Sequence, residues 1–370
     1  MSSVASDKLP KWVNYALIPF LNLATAFLVS GLVIWSLGED PWLAMSLLVE
    51  GAFGYGEAIS YTLYYTTHFI FTGLAVSIAF RAGLFNIGGE GQAIMGGVGI
   101  LLAVMLGDGL PSYLLIPLAI LGGAVFGGAW AAIPAWLQAT RGSHIVITTI
   151  MFNFIAAAIL SYLLVGPLKR VGGQSPESAD IIDAAKLDPL SDFFGGLGFP
   201  EGPANSSLLI ALSCVFLYWL FINRTHYGYG IRIVGLNPSA ARFAGISSTK
   251  VIMLSMILAG AMAGLLGLNE VLGVQHRLIT NFTAGFGFVG IAVAFMGRNS
   301  PVGIILAALL FGAIYQGGAE LAFEMPSVTR DLVIMIQGLV ILLAGALEHI
   351  YRSPLEKLFS SFKSKNKGEG

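Results

Sequence analysis

The chain has 370 residues, of which 56% are hydrophobic and only 11% charged; its formal net charge is -1 and its mean hydropathy is +0.81. Soluble globular proteins carry roughly 45–50% apolar and about 25% charged residues, so a soluble chain is excluded: it could neither bury this much apolar surface nor stay dispersed. The near-neutral charge offers no global field for nucleic acid, and the single cysteine, Cys214, can form no internal disulfide and fits no multi-cysteine metal motif.

About 20 apolar residues cross a hydrocarbon core of roughly 30 Å as a helix. In chain order, spans are predicted at 16–37, 59–80, 88–107, 112–137, 144–166, 207–223, 250–272, 286–297, 301–319 and 329–350. The windows between Asp108 and Arg141 and from Gly142 to Leu168 hold no Asp, Glu, Lys or Arg. The third and eighth spans are glycine-rich, and the eighth is too short to cross straight. Long unbroken runs without alternation exclude a membrane β-barrel. The expected fold is an all-α integral membrane protein, a polytopic bundle of about ten transmembrane helices within residues 16–351. Residues 1–15 form an N-terminal segment, and the first apolar run, with no small-x-small cleavage site after it, reads as a retained helix. Trp12, Tyr15, Trp35, Trp42, Tyr113, Trp136, Tyr218, Trp219 and Tyr351 sit near span ends, where amphipathic rings are favoured.

Orientation follows from the basic residues. One set of ends holds fourteen of the 19 Lys and Arg, including Lys8, Lys11, Arg81, Arg141, Arg224, Arg232, Arg242, Lys250 and Arg298; the other holds Lys169, Arg170, Lys186, Arg277 and Arg330. The positive-inside rule puts the richer set and both termini in the cytoplasm, which an even number of spans satisfies. Residues 167–206 are then an external loop, rich in Gly, Pro, Ser and Asp and suited to docking. Residues 224–249 form a cytoplasmic loop with a helix-like stretch, Pro238–Ala244, after Asn237. Residues 352–370 are a polar, basic cytoplasmic tail.

The densest polar cluster is Phe85–Gln92, FNIGGEGQ, at the start of the third span. Asn86 and Glu90 are four apart and share a face of a helix. A charge at membrane depth costs about 2.5–3.5 kcal/mol on insertion scales and usually faces the bundle interior or a water-filled path; the alternative is that Glu90 snorkels at the interface, paired with Arg81. His68, Asn153, Glu270, Gln316 and Gln337 also interrupt apolar runs, and each is either helix-to-helix glue or a path-lining group. Glu270, preceded by Asn269 near the outer end of its helix, is the better path candidate. In the inner loop, Ser239-Ala240-Ala241-Arg242-Phe243-Ala244-Gly245 reads as a short amphipathic helix stopped by glycine. It either transmits force from a cytoplasmic partner or anchors the loop as an interfacial helix. There is no G-x-x-x-x-G-K-S/T loop, no H-E-x-x-H and no nucleophile motif, and the five histidines show no ligand spacing. No catalytic residue, metal or cofactor is expected in this chain.

Four segments carry a resemblance: FRAGLFNIGGEGQ (80–92), TTIMFNFIA (148–156), IRIVGLNPSAARFAGI (231–246) and GFGFVGIAVAFMGRNSPVGIILAALLFG (285–312). Over residues 15–350 the chain resembles the permease subunits of bacterial ABC importers, in the nucleoside and simple-sugar branch related to ribose and branched-chain amino acid permeases. The resemblance implies roughly ten spans in inverted half-repeats; the heptads AGLFNIG (82–88) and AGFGFVG (284–290) are a faint internal match in keeping with this. It implies that Ser239–Gly245 is similar to the family's E-A-A-x-x-x-G coupling motif: Ala240, Ala241 and Gly245 match, and Ser239 stands where the motif has Glu. Ser239, Ala240, Ala241, Arg242 and Gly245 are thus the expected ATPase-coupling residues. Where family members commonly have a proline in the second span, this chain has His68.

The partners implied are a cytoplasmic ABC ATPase that uses Mg-ATP, a second, related permease, and an external substrate-binding protein, all at the bacterial inner membrane. Nucleosides are the expected cargo, with ribose-like sugars or amino acids as the alternative. Alternating access would move helices around Asn86, Glu90, Gln92, Asn153, Glu270 and Gln316, with Phe85, Phe152 or Phe286 stacking on a base. A weak hold suits a path that must release what it admits. An ion-coupled secondary transporter or a passive channel is the contrasting class; the former calls for ionisable groups in several spans, where only Glu90 and Glu270 qualify.

Overall fold

The computed structural model describes residues 10, 13, 17–197, 199–329, 332–340, 342–343, 351 and 354–356. Most of the expected N-terminal segment, with Trp12 and Tyr15, the end of the span expected at 329–350 and most of the basic tail lie outside the described residues. Apart from two isolated bridges, the regular structure of the described residues is helical. The chain divides into two compact units, residues 52–316 and residues 1–51 with 317–370.

In chain order the helices are α1 (Ile18–Ser36), α2 (Pro41–Phe53), α3 (Gly56–Arg81), α4 (Gly89–Leu106), α5 (Ser112–Arg141), α6 (Ile145–Val165), α7 (Leu190–Phe194), α8 (Ser207–Arg224), α9 (His226–Leu236), α10 (Pro238–Phe243), α11 (Ser248–Gly264), α12 (Phe286–Met296) and α13 (Pro301–Glu324). A π-helical turn, Leu268–Val274, carries α11 onward. Among the described residues, seven helices are long and apolar enough to cross a membrane: α3, α4, α5, α6, α8, α11 with its π-turn, and α13. They coincide with seven of the expected spans.

The remaining three differ. The first is α1, 19 residues long. The span expected at 329–350 is helical over 332–340. The span expected at 286–297 is α12, whose 11 residues reach only about 16 Å at 1.5 Å per residue, roughly half a hydrocarbon core. The stretch before α12 is irregular: His276, Asn281 and Ala284 all have positive φ. Leu278, Phe282 and Thr283 within it are buried, as non-helical backbone at membrane depth requires. Helix α2 falls outside the expected spans because Glu39, Asp40 and Glu50 leave it no charge-free window.

In unit 52–316, α5 packs most extensively on α11 and α4, and α3 on α12 and α11. Glycines let the α5 and α11 backbones touch: a Cβ at Gly127 would lie 2.9 Å from the Cα of Gly264, and one at Gly123 3.2 Å from the Gly264 carbonyl oxygen. In lipid, where burying apolar surface gives no drive between helices, this close van der Waals contact is what holds them together.

The expected external loop is ordered against the segment after the π-turn. Ser178 N donates to Leu278 O at 2.9 Å, Ile181 N to His276 O at 2.8 Å and Leu187 N to Leu272 O at 3.0 Å. Arg277 pairs with Glu177 at 3.4 Å and Asp180 at 3.5 Å, and Arg170 with Asp180 at 3.4 Å. On the loop's exposed surface, the Lys186 ammonium holds the Asp183 carboxyl below its ordinary pKa.

The inner loop 224–249 is mostly helical. α9 starts where the Thr225 side chain accepts from Gly228 N, and α10 starts where Asn237 Oδ1 accepts from Ser239 N and Ala240 N, both at 3.0 Å. Gly245, at φ +77°, ends α10, donating from its N to Arg242 O at 3.0 Å while Ile246 N donates to Ala241 O at 2.9 Å. This is the left-handed stop that glycine permits. The two heptads differ locally: 82–88 connects α3 to α4, whereas 286–290 is the first turn of α12.

Candidate functional site

The entry to α4 is built from the FNIGGEGQ residues themselves. Asn86 Nδ2 donates to Gln92 Oε1 at 3.0 Å, Gln92 Nε2 donates back to Asn86 Oδ1 at 3.1 Å, and Gly88 N donates to the same oxygen at 2.9 Å. From α6, Asn153 clamps the same turn: its Oδ1 accepts from Gly91 N at 2.9 Å and its Nδ2 donates to Ile87 O at 2.9 Å. Three expected site residues thus meet here: Asn86 and Gln92 satisfy each other, and Asn153 satisfies the backbone of the turn that carries them.

Glu90 points elsewhere. Its carboxylate accepts from Thr283 Oγ1 at 2.5 Å, Gly285 N at 3.0 Å and Gly287 N at 2.8 Å. These donors stand at the start of α12, where backbone N–H groups have no helical partner and the helix dipole favours negative charge. The first turns of α4 and α12 therefore meet N-terminus to N-terminus; a Cβ at Gly89 would lie 3.1 Å from Gly287 O. The pairing of Glu90 with Arg81 is corrected: Arg81 donates to Tyr218 Oη at 2.9 Å and Asn299 O at 2.6 Å, and Glu90 is buried at 8% exposure. An unpaired carboxylate would be costly here, and the α12 start supplies three donors.

A second network surrounds Glu270, in the π-turn, a geometry that recurs at functional sites. Tyr64 Oη donates to Glu270 Oε1, and His68 Nε2 lies 3.1 Å from the same oxygen. Asn269 Nδ2 lies 3.3 Å from His68 Nδ1 and donates to Tyr64 O at 3.0 Å. Its Oδ1 accepts from Asn205 Nδ2 at 2.7 Å and Ser207 Oγ at 3.1 Å. A His68 tautomer protonated at Nε2 satisfies both neighbours. Asn205 and Ser207 join the end of the 167–206 loop and the start of α8 to this core. Tyr64, Asn205, Ser207 and Thr283 escape sequence reasoning, since each is an ordinary polar residue whose partner lies 62 to 206 positions away.

Rings from α3, α12 and α13 adjoin the second network. His68 lies 4.8 Å from Phe286 and 4.6 Å from Tyr64, and Tyr65 and Phe286 each lie within 5.9 Å of Tyr315. The three phenylalanines proposed to stack on a base belong to separate ring groups: Phe286 here, Phe85 against Phe295 and Phe152 against Trp130. Gln316 is buried on α13 and bonds to none of the other expected path residues among those described.

On α10 the expected coupling residues separate by face. Ala241 is fully buried, seating the helix, while Ser239, Ala240, Arg242 and Gly245 are exposed. Phe243, 96% exposed, is the feature the motif overlooks; a large ring at the end of an amphipathic turn is its sequence signal.

Arg81, Arg232 and Arg298 line one cavity, whereas Arg170 and Arg277 share Asp180 of the 167–206 loop.

Residues 58–345 match the family described as "Branched-chain amino acid transport system / permease component". The chain is 37% identical over 338 residues to the glucose ABC transporter permease protein TsgB13 of Haloferax volcanii, covering 90% of this chain and 87% of the relative. It is 35% identical over 332 residues to the guanosine ABC transporter permease protein NupP of Bacillus subtilis, covering 88% and 92%. To the nucleoside ABC transporter permease protein NupB of Lactococcus lactis it is 31% identical over 318 residues, covering 85% of each.

Proposed function

We propose that this chain, which belongs to the branched-chain amino acid transport permease family, is the membrane-spanning subunit of an ATP-driven ABC importer for nucleosides. The observation that carries the cargo is its similarity over most of its length to the guanosine and nucleoside permeases. The ring group of Tyr64, Tyr65, His68, Phe286 and Tyr315, beside the amide and carboxylate of Asn269 and Glu270, supports it, because a flat base stacks on aromatic faces while amides meet its polar edge.

The polypeptide crosses the bacterial inner membrane about ten times, with α12 and the irregular stretch before it sharing one crossing and both termini in the cytoplasm. Asn86, Glu90, Gln92, Asn153, Glu270 and Gln316 form the polar framework of the path, and alternating access moves the two helix starts that Glu90 joins. An external binding protein docks on 167–206, where Val171, Phe193 and Phe194 are exposed. A cytoplasmic ATPase, which binds and hydrolyses Mg-ATP, receives α10 through Ser239, Arg242 and Phe243, with Ala240, Ala241 and Gly245 shaping the helix. A second, related permease completes the pair.

A simple-sugar importer is the second reading, favoured by the 37% identity to a glucose permease. The experiment is uptake of labelled guanosine by cells expressing the chain with its co-purifying subunits, competed by unlabelled guanosine or glucose. Competition by guanosine alone supports the nucleoside reading; competition by glucose alone replaces it with the sugar reading. Recovery of the chain without an ATPase, active on an ion gradient, would overturn both.

A further inference from the structure

The cavity at the α9 end of unit 52–316 has no part in the functional reading above. It measures about 490 Å³ and is lined by Phe80, Arg81, Phe85, Arg232, Arg298 and Asn299, with residues 83–84 and 235–236 completing its wall. Three guanidinium groups come from three places distant in sequence: the last turn of α3, the middle of α9 and the turn between α12 and α13. None of the described residues that line the cavity is acidic. Arg81 is held in place by neutral oxygens, Tyr218 Oη at 2.9 Å and Asn299 O at 2.6 Å, so its charge is positioned without being neutralised by them. Arg298 and Asn299 hold their side chains on two successive left-handed residues, φ +52° and +51°, a conformation that is strained for non-glycine residues and clusters at binding and switch sites. Asn299 Oδ1 is a buried acceptor with no hydrogen-bond partner among the described residues.

We propose that this cavity binds a phosphate ester that also carries a hydroxyl group. Planar guanidinium groups converging from several elements match the oxygens of a phosphate, which they meet with charge-assisted, often paired hydrogen bonds. The hydroxyl supplies the donor that Asn299 Oδ1 lacks, and the rings of Phe80 and Phe85 give the rest of the ligand an apolar wall. Two sources carry this chemistry: the headgroup of an anionic glycerophospholipid and a soluble nucleoside monophosphate. In either case the ligand ties α3 and the α12–α13 turn to α9, and α9 leads through Asn237 directly into α10. Occupancy therefore sets how freely α10 moves.

The test uses the full chain with the subunits that accompany it, in nanodiscs. In one arm the discs contain phosphatidylcholine with or without phosphatidylglycerol, and native mass spectrometry counts retained phosphatidylglycerol. In the other, phosphatidylcholine discs are titrated with guanosine monophosphate, with guanosine as the control lacking phosphate. The variants are Arg232→Gln, whose side chain makes no hydrogen bond or ion pair with the other described residues, and Arg232→Lys, which keeps the charge. Saturable binding in either arm that weakens about tenfold or more in Arg232→Gln and is partly restored in Arg232→Lys is the expected result, and the responding arm identifies the source. No saturable binding in either arm, or binding equal in wild type and Arg232→Gln, overturns the proposal. Because the readout is binding, it stands apart from whether the chain transports nucleosides.

Discussion

Glu90 and Glu270 are both buried carboxylates beside an interrupted helix, yet their partners differ in kind. Glu90 receives two backbone N–H groups and a threonine hydroxyl at the start of α12. Glu270 receives a tyrosine hydroxyl and a histidine nitrogen, and the asparagine beside it reaches the external loop through Asn205 and Ser207. Backbone donors at a helix start cannot rotate away, so Glu90 fastens α4 to α12 in one geometry. Side-chain donors can, so the Glu270 network can exchange partners when the segment bonded to Asn269 moves. The comparison assigns a fixed joint to one carboxylate and an adjustable one to the other.

The largest effect is expected at the fixed joint. In Gly287→Val the new side chain would collide with the Glu90 backbone and carboxylate, forcing α4 and α12 apart. The cost is at least the roughly 1–3 kcal/mol of core overpacking, plus stranding of a buried charge. Thermal unfolding in detergent should show loss of most folded protein; a Tm near wild type would mean the helix starts do not meet. Glu90→Gln comes next: it keeps the shape but turns an amide N–H toward backbone donors. It should cost about 2–3 kcal/mol, the range for charged hydrogen bonds lost in a buried site, with uptake falling alongside stability.

The adjustable joint should respond less and differently. Glu270→Gln still accepts from Tyr64 and His68, so its expected cost is about 1 kcal/mol, that of an ordinary hydrogen bond. A cycle with His68→Gln should show a coupling of about 0.5–3 kcal/mol. Additive losses would show that the two side chains do not act as a unit. Phe243→Ala, outside both joints, should leave Tm unchanged because the ring is 96% exposed, while lowering ATP-dependent uptake several-fold. Equal uptake would remove Phe243 from the ATPase contact.

Much of this was legible in the sequence because it is local. Long apolar windows marked the seven long helices, and Asn237 and Gly245 bracket α10 with the residues that cap and stop a helix. Glu90 and Glu270 stood out because charge is costly at membrane depth. Their partners did not, because Thr283 lies 193 positions from Glu90 and Tyr64 lies 206 from Glu270, and no periodicity encodes contacts at that range. Asn86 and Gln92 were legible as part of a polar cluster and Asn153 as a lone polar residue, but the bonds of Asn153 to Gly91 N and Ile87 O depend on how α6 packs against α4. Helices α2 and α9 were missed because acidic residues interrupt the apolar window of α2, and three glycines and an arginine lie within the 11 residues of α9.

The central claim is that this chain carries nucleosides under the power of ATP. Its most direct test is accumulation of labelled guanosine in sealed proteoliposomes holding the chain with its co-purified subunits and binding protein, with Mg-ATP on the ATPase side and the proton gradient collapsed. The account predicts saturable accumulation that needs ATP and ignores the ionophore. Accumulation driven by an ion gradient without ATP would contradict it.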